Sequence, residues 1–450
     1  MGITASLFYN SSTEKQTLHR RITPSNEQKE AQKQRWNELA DYLKAELKII
    51  SGYSIYSWLQ GSYKFKTQLR PLFNGDEFDI DLGIYFQWQG EPHDGEFSPL
   101  QLKKMVQECM EAYRQHQNDI KKVASPKMRC NRIHYEGDFH IDVPTYHLDN
   151  SRDARALATE EDEWEESDPK AIYVWFKQQF PDEDIRHNVR RLIRYLKAWG
   201  ILNLKEGEGK PSAILLTVLV TESYELLSEE ERSSDDNALT GILRLILARL
   251  TQDSTVYNPV NHAEIMSDRL GKNGITALKK HIEQFATLAQ QALNAKTEVE
   301  AADIWSTVYK HFFPLPEARE EIVKFSESRQ DSLLRQVFTP TIFVTAERKK
   351  PLSQRTNNWS GIDSIGPIPK NCSITFKLVN TSSLPPYVTV EWTVRNEGAE
   401  AEIENDLGHP AGRGHSATEN SAYKGVHYMD CVLRQYGRII GVKRVKVVIN

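Results

Sequence analysis

The sequence predicts a mixed α/β core, a helical second lobe and a C-terminal all-β, sandwich-like domain. Three observations carry that expectation. Phe78-Asp79-Ile80-Asp81-Leu82 alternates apolar and acidic residues with the period of a strand, and helix-patterned segments flank it. From about 180 to 330 apolar residues recur at helical spacing, as in "VRRLIRYLKAW". After about residue 335 the chain becomes a series of short β-rich runs separated by Gly, Pro, Asn and Ser. The expected boundaries are 1–180, 181–332 and 335–450.

Bulk properties narrow the class. A chain of 450 residues is long enough for two or three cores. A net charge of −5 argues against a protein that coats nucleic acid nonspecifically, although a local basic groove is compatible with it. Cys109, Cys130, Cys372 and Cys431 lie far apart without CxxC spacing, so neither a zinc site nor a disulfide framework is expected, and a reducing cytoplasm is. No apolar run is long enough to predict membrane insertion or secretion.

Taken in order, Ser25 to Ile50 reads as a helix with Trp36, Leu39, Leu43 and Leu47 on one stripe. A Gly-Ser turn at Gly61-Ser62 and the acidic strand follow. Gln101 to Lys122 reads as helix, and "MRCNRIHYEGDFHIDVPTYHL" as a strand pair carrying Asp142. The acidic run 159–168 reads as a solvated loop. In the helical lobe Val189, Leu192, Ile193, Leu196 and Trp199 share a face, with Lys197 near its polar edge. A helix is expected to start near Pro211-Ser212. "CSITFKLVN", "YVTVEWTVRN", "HYMDCVLRQYG" and "RVKVVIN" supply the strands of the last domain.

The alternation raises a chemical question. Phe78, Ile80 and Leu82 face a core, which puts Asp79 and Asp81 side by side on the other face, where they repel each other unless a cation lies between them. With Asp142 on a neighbouring strand they form a three-carboxylate cluster suited to Mg²⁺, two ions being expected and Mn²⁺ a possible substitute. A Gly-Ser turn lets backbone approach a triphosphate closely. Phosphoryl or nucleotidyl transfer needs those parts.

Gly61-Ser62 with Asp79, Asp81 and Asp142 resembles the polymerase β-type nucleotidyltransferases. Within them, "QGSYKFKT", "FDIDLGIYF" and "HIDVPTYHL" resemble the bacterial cGAS/DncV-like enzymes, which make nucleotide second messengers in anti-phage defence. The resemblance implies a polymerase β-like core over roughly 15–330 that takes nucleoside or deoxynucleoside triphosphates without a template and releases a cyclic or linear product read by an effector protein. It implies metal binding by Asp79, Asp81 and Asp142, with Asp142 also helping to deprotonate the attacking hydroxyl. It assigns donor binding to Gln60, Gly61 and Ser62 together with Lys197 and Ser212. Lys64, Lys66 and Arg70 lie in a 16-residue insert, either an ordinary loop or a basic rim near the phosphates. A catalytically idle nucleotide-binding sensor is an alternative that the intact acidic triad argues against, and a tRNA- or antibiotic-directed transferase shares the same cluster.

Residues 335–450 resemble the adenylyl/guanylyl and SMODS C-terminal sensor domain through Trp392, Asn396, Gly398, Glu400, Ala401, Tyr423, Gly425 and His427. Trp392 reads as core, and Tyr423, His427 and the loop from Asn405 to His415 as candidate ligand contacts. The domain order also resembles Hailong-type systems, in which a C-terminal tyrosine primes synthesis; Tyr387, Tyr423, Tyr428 and Tyr436 are the chemically capable residues.

Overall fold

The computed structural model describes residues 2–11, 17–73, 75–137, 139–316, 338–348 and 357–450. The chain divides into two compact units, Ile22–Gln284 and a second that joins Met1–Arg21 to Phe285–Asn450. These edges do not coincide with the breaks in sequence texture at 180 and 332. The reason lies in buried polar contacts. Asp303, on helix Glu298–Tyr309, pairs with Arg434, and the Arg395 guanidinium donates to the carbonyls of His311 and Phe313. The end of the helical stretch is thereby built into the β-rich unit.

In the unit Ile22–Gln284, helix α1 (Asn26–Ser51) opens with a reciprocal cap between Ser25 and Gln28 and ends at Gly52 with φ +74°. Strand β1 (Ser54–Gln60), the single-turn helix α2 (Gly61–Lys64) and strand β2 (Phe78–Gln87) follow. Helix α3 spans Pro99–Arg114. It stops short of the expected Lys122, because the polar His116–Asp119 stretch turns and Ile120–Val123 pairs as edge strand β3. Strands β4 (Asn131–Tyr135), β5 (Phe139–Val143), β6 (Thr145–Asp149), β7 (Ala154–Ala158) and β8 (Trp164–Glu166) complete an eight-stranded sheet. The acidic run is therefore only partly loop. Its centre is β8, and Asp168 caps helix α4 (Pro169–Gln179) while pairing with Arg155 at 2.6 Å.

The sheet runs β3-β4-β5-β2-β6-β7-β8, with β1 also paired to β2. β5 and β6 continue one another alongside β2 in parallel register, interrupted only at Pro144. One face carries Phe78, Ile80, Leu82, Ile133, Phe139 and Ile141, buried beneath Leu39, Leu43 and Leu47 of α1 and Leu102, Val106 and Met110 of α3. Each such side chain contributes about 1.5–3 kcal/mol when fully buried, so this face fixes the strand register. Whatever alternates with it must point the other way.

Beyond the sheet lie helices α5 (Glu183–Asn203) and α6 (Ala213–Tyr224). Val189, Leu192, Ile193, Leu196 and Trp199 are all buried on α5, as their spacing predicts.

The second unit contains a four-stranded and a five-stranded sheet that share a core around Trp392, whose indole N–H donates to the Gly414 carbonyl at 2.7 Å. Phe8 packs edge-on against Trp305 and Phe313, and Thr4 accepts from the Trp305 indole at 3.1 Å. Of the four tyrosines, Tyr387 and Tyr436 are exposed with rings 5.9 Å apart. The Tyr423 hydroxyl donates to Asp406, and Tyr428 lies half-buried with the Arg444 guanidinium over its ring.

Candidate active site

The strand registers place the polar face in two cross-strand rows. Asp81 on β2 lies directly opposite Asp142 on β5, which lies opposite Arg132 on β4. One step along the face, Asp79 lies opposite His140, which lies opposite His134. Side chains opposite each other in a sheet share a face, so all three predicted carboxylates lie on it. The ligand atoms within 4.8 Å of one another are those of Asp79, His140 and Asp142, with Asp81 beside this group.

The charges on this face are unequal. Burial, then the neighbouring charges of Asp79 and Asp142, push Asp81 up to about 7. Its ionised form is thereby disfavoured relative to an ordinary aspartate. Burial would raise Asp142 too, but the Arg132 guanidinium, forked across both its oxygens, holds it below the carboxylate range. His140 Nε2 lies 2.9 Å from Asp79 Oδ1. Three carboxylates, one of them kept from ionising chiefly by burial and by the other two, form a donor set that fits divalent cations taking oxygen ligands.

Gly61 approaches this cluster closely. It adopts φ +56°, and a Cβ added there would fall 1.9 Å from Asp81 Oδ2, so only glycine lets the chain turn against that carboxylate. Ser62 sits beside it in α2, half-buried, with its carbonyl accepting from the Thr67 N–H at 2.9 Å. Gln60 departs from expectation. It is buried, and its amide lies over Gly83, donating to the Tyr85 hydroxyl at 2.8 Å and accepting from Tyr146 at 3.2 Å. Those tyrosines stack at 4.7 Å, so the Gln60 side chain braces the strands.

The turn after α2 is held by one face of α5. Arg190, Arg194 and Lys197 recur at four- and three-residue spacing and donate to the successive carbonyls of Phe65, Lys66 and Thr67. Lys197 Nζ lies 2.8 Å from the Thr67 oxygen and is half-buried. Burial and Arg194 lower its pKa to about 8, while Asp79 and Asp81 oppose that shift. Lys197 thus lies within electrostatic reach of the acidic pair. Ser212 caps α6 by accepting from the Leu215 N–H at 3.3 Å.

The basic insert does not form a rim. Arg70 is buried and donates to the Thr23 carbonyl and Gln28, and Lys64 lies over the Trp58 ring at 3.8 Å, leaving Lys66 exposed. The sequence reading missed Arg132 and His140. The signal was available: in "NRIHY" and "FHIDV" the polar residues share one parity with Asp142.

This fold and carboxylate face define a nucleotidyltransferase of the polymerase β type. Residues 56–146 match the model described as the nucleotidyltransferase domain of DncV-like cyclic GMP-AMP synthases, and residues 324–450 match the adenylyl/guanylyl and SMODS C-terminal sensor domain. The chain carries both matches, the nucleotidyltransferase domain first and the sensor domain after it. It is 27% identical to a cyclic GMP-AMP synthase of Escherichia albertii over 449 residues, 99% of this chain and 96% of that protein. A c-di-GMP synthase of Roseivirga ehrenbergii is 23% identical over 274 residues, 53% of this chain and 69% of that one. Among solved structures, the Vibrio cholerae di-nucleotide cyclase DncV with GTP and 5MTHFGLU2 superposes with a TM-score of 0.57 at 18% identity, over 70% of this chain and 97% of that one. The Escherichia coli DncV 3'-deoxy GTP form gives 0.58, also at 18% identity, over 69% and 97%. Among the described residues no helix is long and apolar enough to cross a membrane.

Proposed function

We infer that the chain joins nucleoside triphosphates into a cyclic dinucleotide second messenger, without template, using Mg²⁺ (or Mn²⁺ in its place), in a bacterial anti-phage response executed by a separate effector protein. The observation that carries this reading is the register of Asp81 against Asp142, with Asp79 on the same face and Gly61 turned against Asp81. The full-length likeness to a cyclic GMP-AMP synthase supports a cyclic product over an acceptor-directed transfer.

Asp79, Asp81 and Asp142 would hold the metal, which when bound supplies charge neutralisation at the reacting phosphate. The chain's own groups do the rest. Asp142, kept ionised by Arg132, is a base for the attacking hydroxyl; Arg132 fixes its orientation. The Gly61-Ser62 backbone and hydroxyl meet the donor phosphates, and Lys197 adds a cation already held beside the acidic pair. Ser212 completes the phosphate contacts from the start of α6.

The test is incubation of the purified chain with Mg²⁺ and NTPs or dNTPs and no acceptor, with products identified by mass spectrometry. Cyclic dinucleotide is expected, and Asp79→Ala with Asp81→Ala should abolish it in a folded protein. Product only after RNA or an aminoglycoside is added, or undiminished product from the double variant, would overturn the reading.

A further inference from the structure

Beside the carboxylate cluster three donor groups converge that nucleotidyl transfer does not use. His134 and His140 are direct cross-strand partners with rings 5.6 Å apart. Glu77, the residue before β2, reaches both: its Oε2 lies 2.9 Å from His134 Nδ1 and 2.8 Å from His140 Nδ1, with Oε1 3.1 Å from His134 Nδ1. The three ligand atoms all lie within 4.8 Å of one another, and none of the three residues is fully exposed.

His140 is the telling member. Its Nδ1 faces Glu77 and its Nε2 faces Asp79 Oδ1 at 2.9 Å. An ion bound at Nδ1 puts the imidazole proton on Nε2, the nitrogen beside Asp79, and a carboxylate next to a ligating histidine is a common outer-shell partner of metal sites. Two imidazoles and one carboxylate with a fourth position open suit Zn²⁺ and similar borderline ions, whereas Mg²⁺ takes oxygen donors.

We propose that Glu77, His134 and His140 form a second metal site, for Zn²⁺ or a like transition ion, linked to the catalytic face through the contact of His140 with Asp79. With the ion on Nδ1, the protonated Nε2 lies 2.9 Å from Asp79 Oδ1 and biases how that carboxylate is oriented towards the acidic cluster. His140 is then a positioning residue.

The full chain is stripped with a chelator, exchanged into excess Mg²⁺ to occupy the acidic cluster, and titrated with Zn²⁺ against a chromophoric chelator. Co²⁺ is used in parallel for its visible spectrum. Wild-type protein should retain a stoichiometric equivalent through desalting and show an intense Co²⁺ band of low coordination number. His134→Ala should weaken binding by about tenfold or more and lose the band, and Glu77→Gln, which preserves shape, should do likewise. Asp142→Asn should keep both, since it belongs to the other cluster. Zn²⁺ that washes away from wild type under Mg²⁺, or binds equally to the His134 and Glu77 variants while circular dichroism shows them folded, overturns the proposal. None of these readouts involves nucleotide, so the result is independent of whether the proposed reaction is correct.

Discussion

At the scale of single residues, Gly61 and Asp81 form the most sensitive pair in the molecule. Backbone and carboxylate approach so closely that a methyl group on Gly61 would occupy the position of an Asp81 oxygen. Gly61→Ala must also hold φ +56° with a side chain, at a cost of about 1–2 kcal/mol. The stability loss is therefore modest, but Asp81 is displaced from its row with Asp142. A displacement on the order of 1 Å costs about 100-fold in a positioned reaction. We expect Gly61→Ala to lower turnover by about that factor while the melting curve keeps its cooperativity. Full turnover in the variant would show that the close approach has no catalytic role. The same pair explains why the carboxylates were readable from sequence and Gln60 was not. Parity along a strand fixes which face a side chain takes, and Asp79, Asp81 and Asp142 needed only that. Whether Gln60 reaches a ligand or a neighbouring tyrosine depends on the empty space above Gly83, which no periodicity encodes.

At the scale of elements, helix α5 acts on the loop after α2 through three basic side chains, but their burial separates their roles. Arg190 is almost wholly buried, so Arg190→Met leaves the Phe65 carbonyl without its donor, while Glu183 keeps Arg186. Such a loss costs about 1–3 kcal/mol, which thermal denaturation should register as a fall of several degrees. Lys197 is half-buried and close to the acidic pair, so Lys197→Met should cost no more stability than the loss of its Thr67 contact and should also weaken nucleotide affinity about tenfold, the worth of one charge-assisted hydrogen bond. Equal melting losses for both variants with unchanged affinity would reduce Lys197 to a brace. The apolar stripe of α5 was fully legible, since Val189, Leu192, Ile193, Leu196 and Trp199 follow helical spacing. The grip on consecutive carbonyls was not, because it depends on a loop 130 residues away in sequence. Similarly, α3 ended early because the strand pairing of Ile120–Val123 outweighed local helix preference.

At the scale of the whole molecule, the division of the chain sets what can be cut. The unit Ile22–Gln284 has its own core and all the predicted site residues, so a fragment 22–284 should fold alone. A chain ending at residue 334 should fare worse despite being longer. It keeps Asp303, His311 and Phe313 but removes Arg434 and Arg395, which satisfy that carboxylate and those carbonyls. Limited proteolysis with mass spectrometry should find 285–316 cleaved early in the 334-residue chain and protected in the full one, and equal protection would refute the division. The break at 335 was visible as a change in composition. The attachment of residues 285–316 to the β-rich C-terminal domain was not, because their partners are isolated arginines inside strands. The return of the N-terminal segment to the second unit has a consequence for synthesis. Thr4 and Phe8 leave the ribosome almost three hundred residues ahead of Trp305 and Phe313, against which they rest. The nucleotidyltransferase unit is therefore complete in the nascent chain while the opening segment still waits for its seat, so a prematurely released chain carries its own exposed mark of being unfinished.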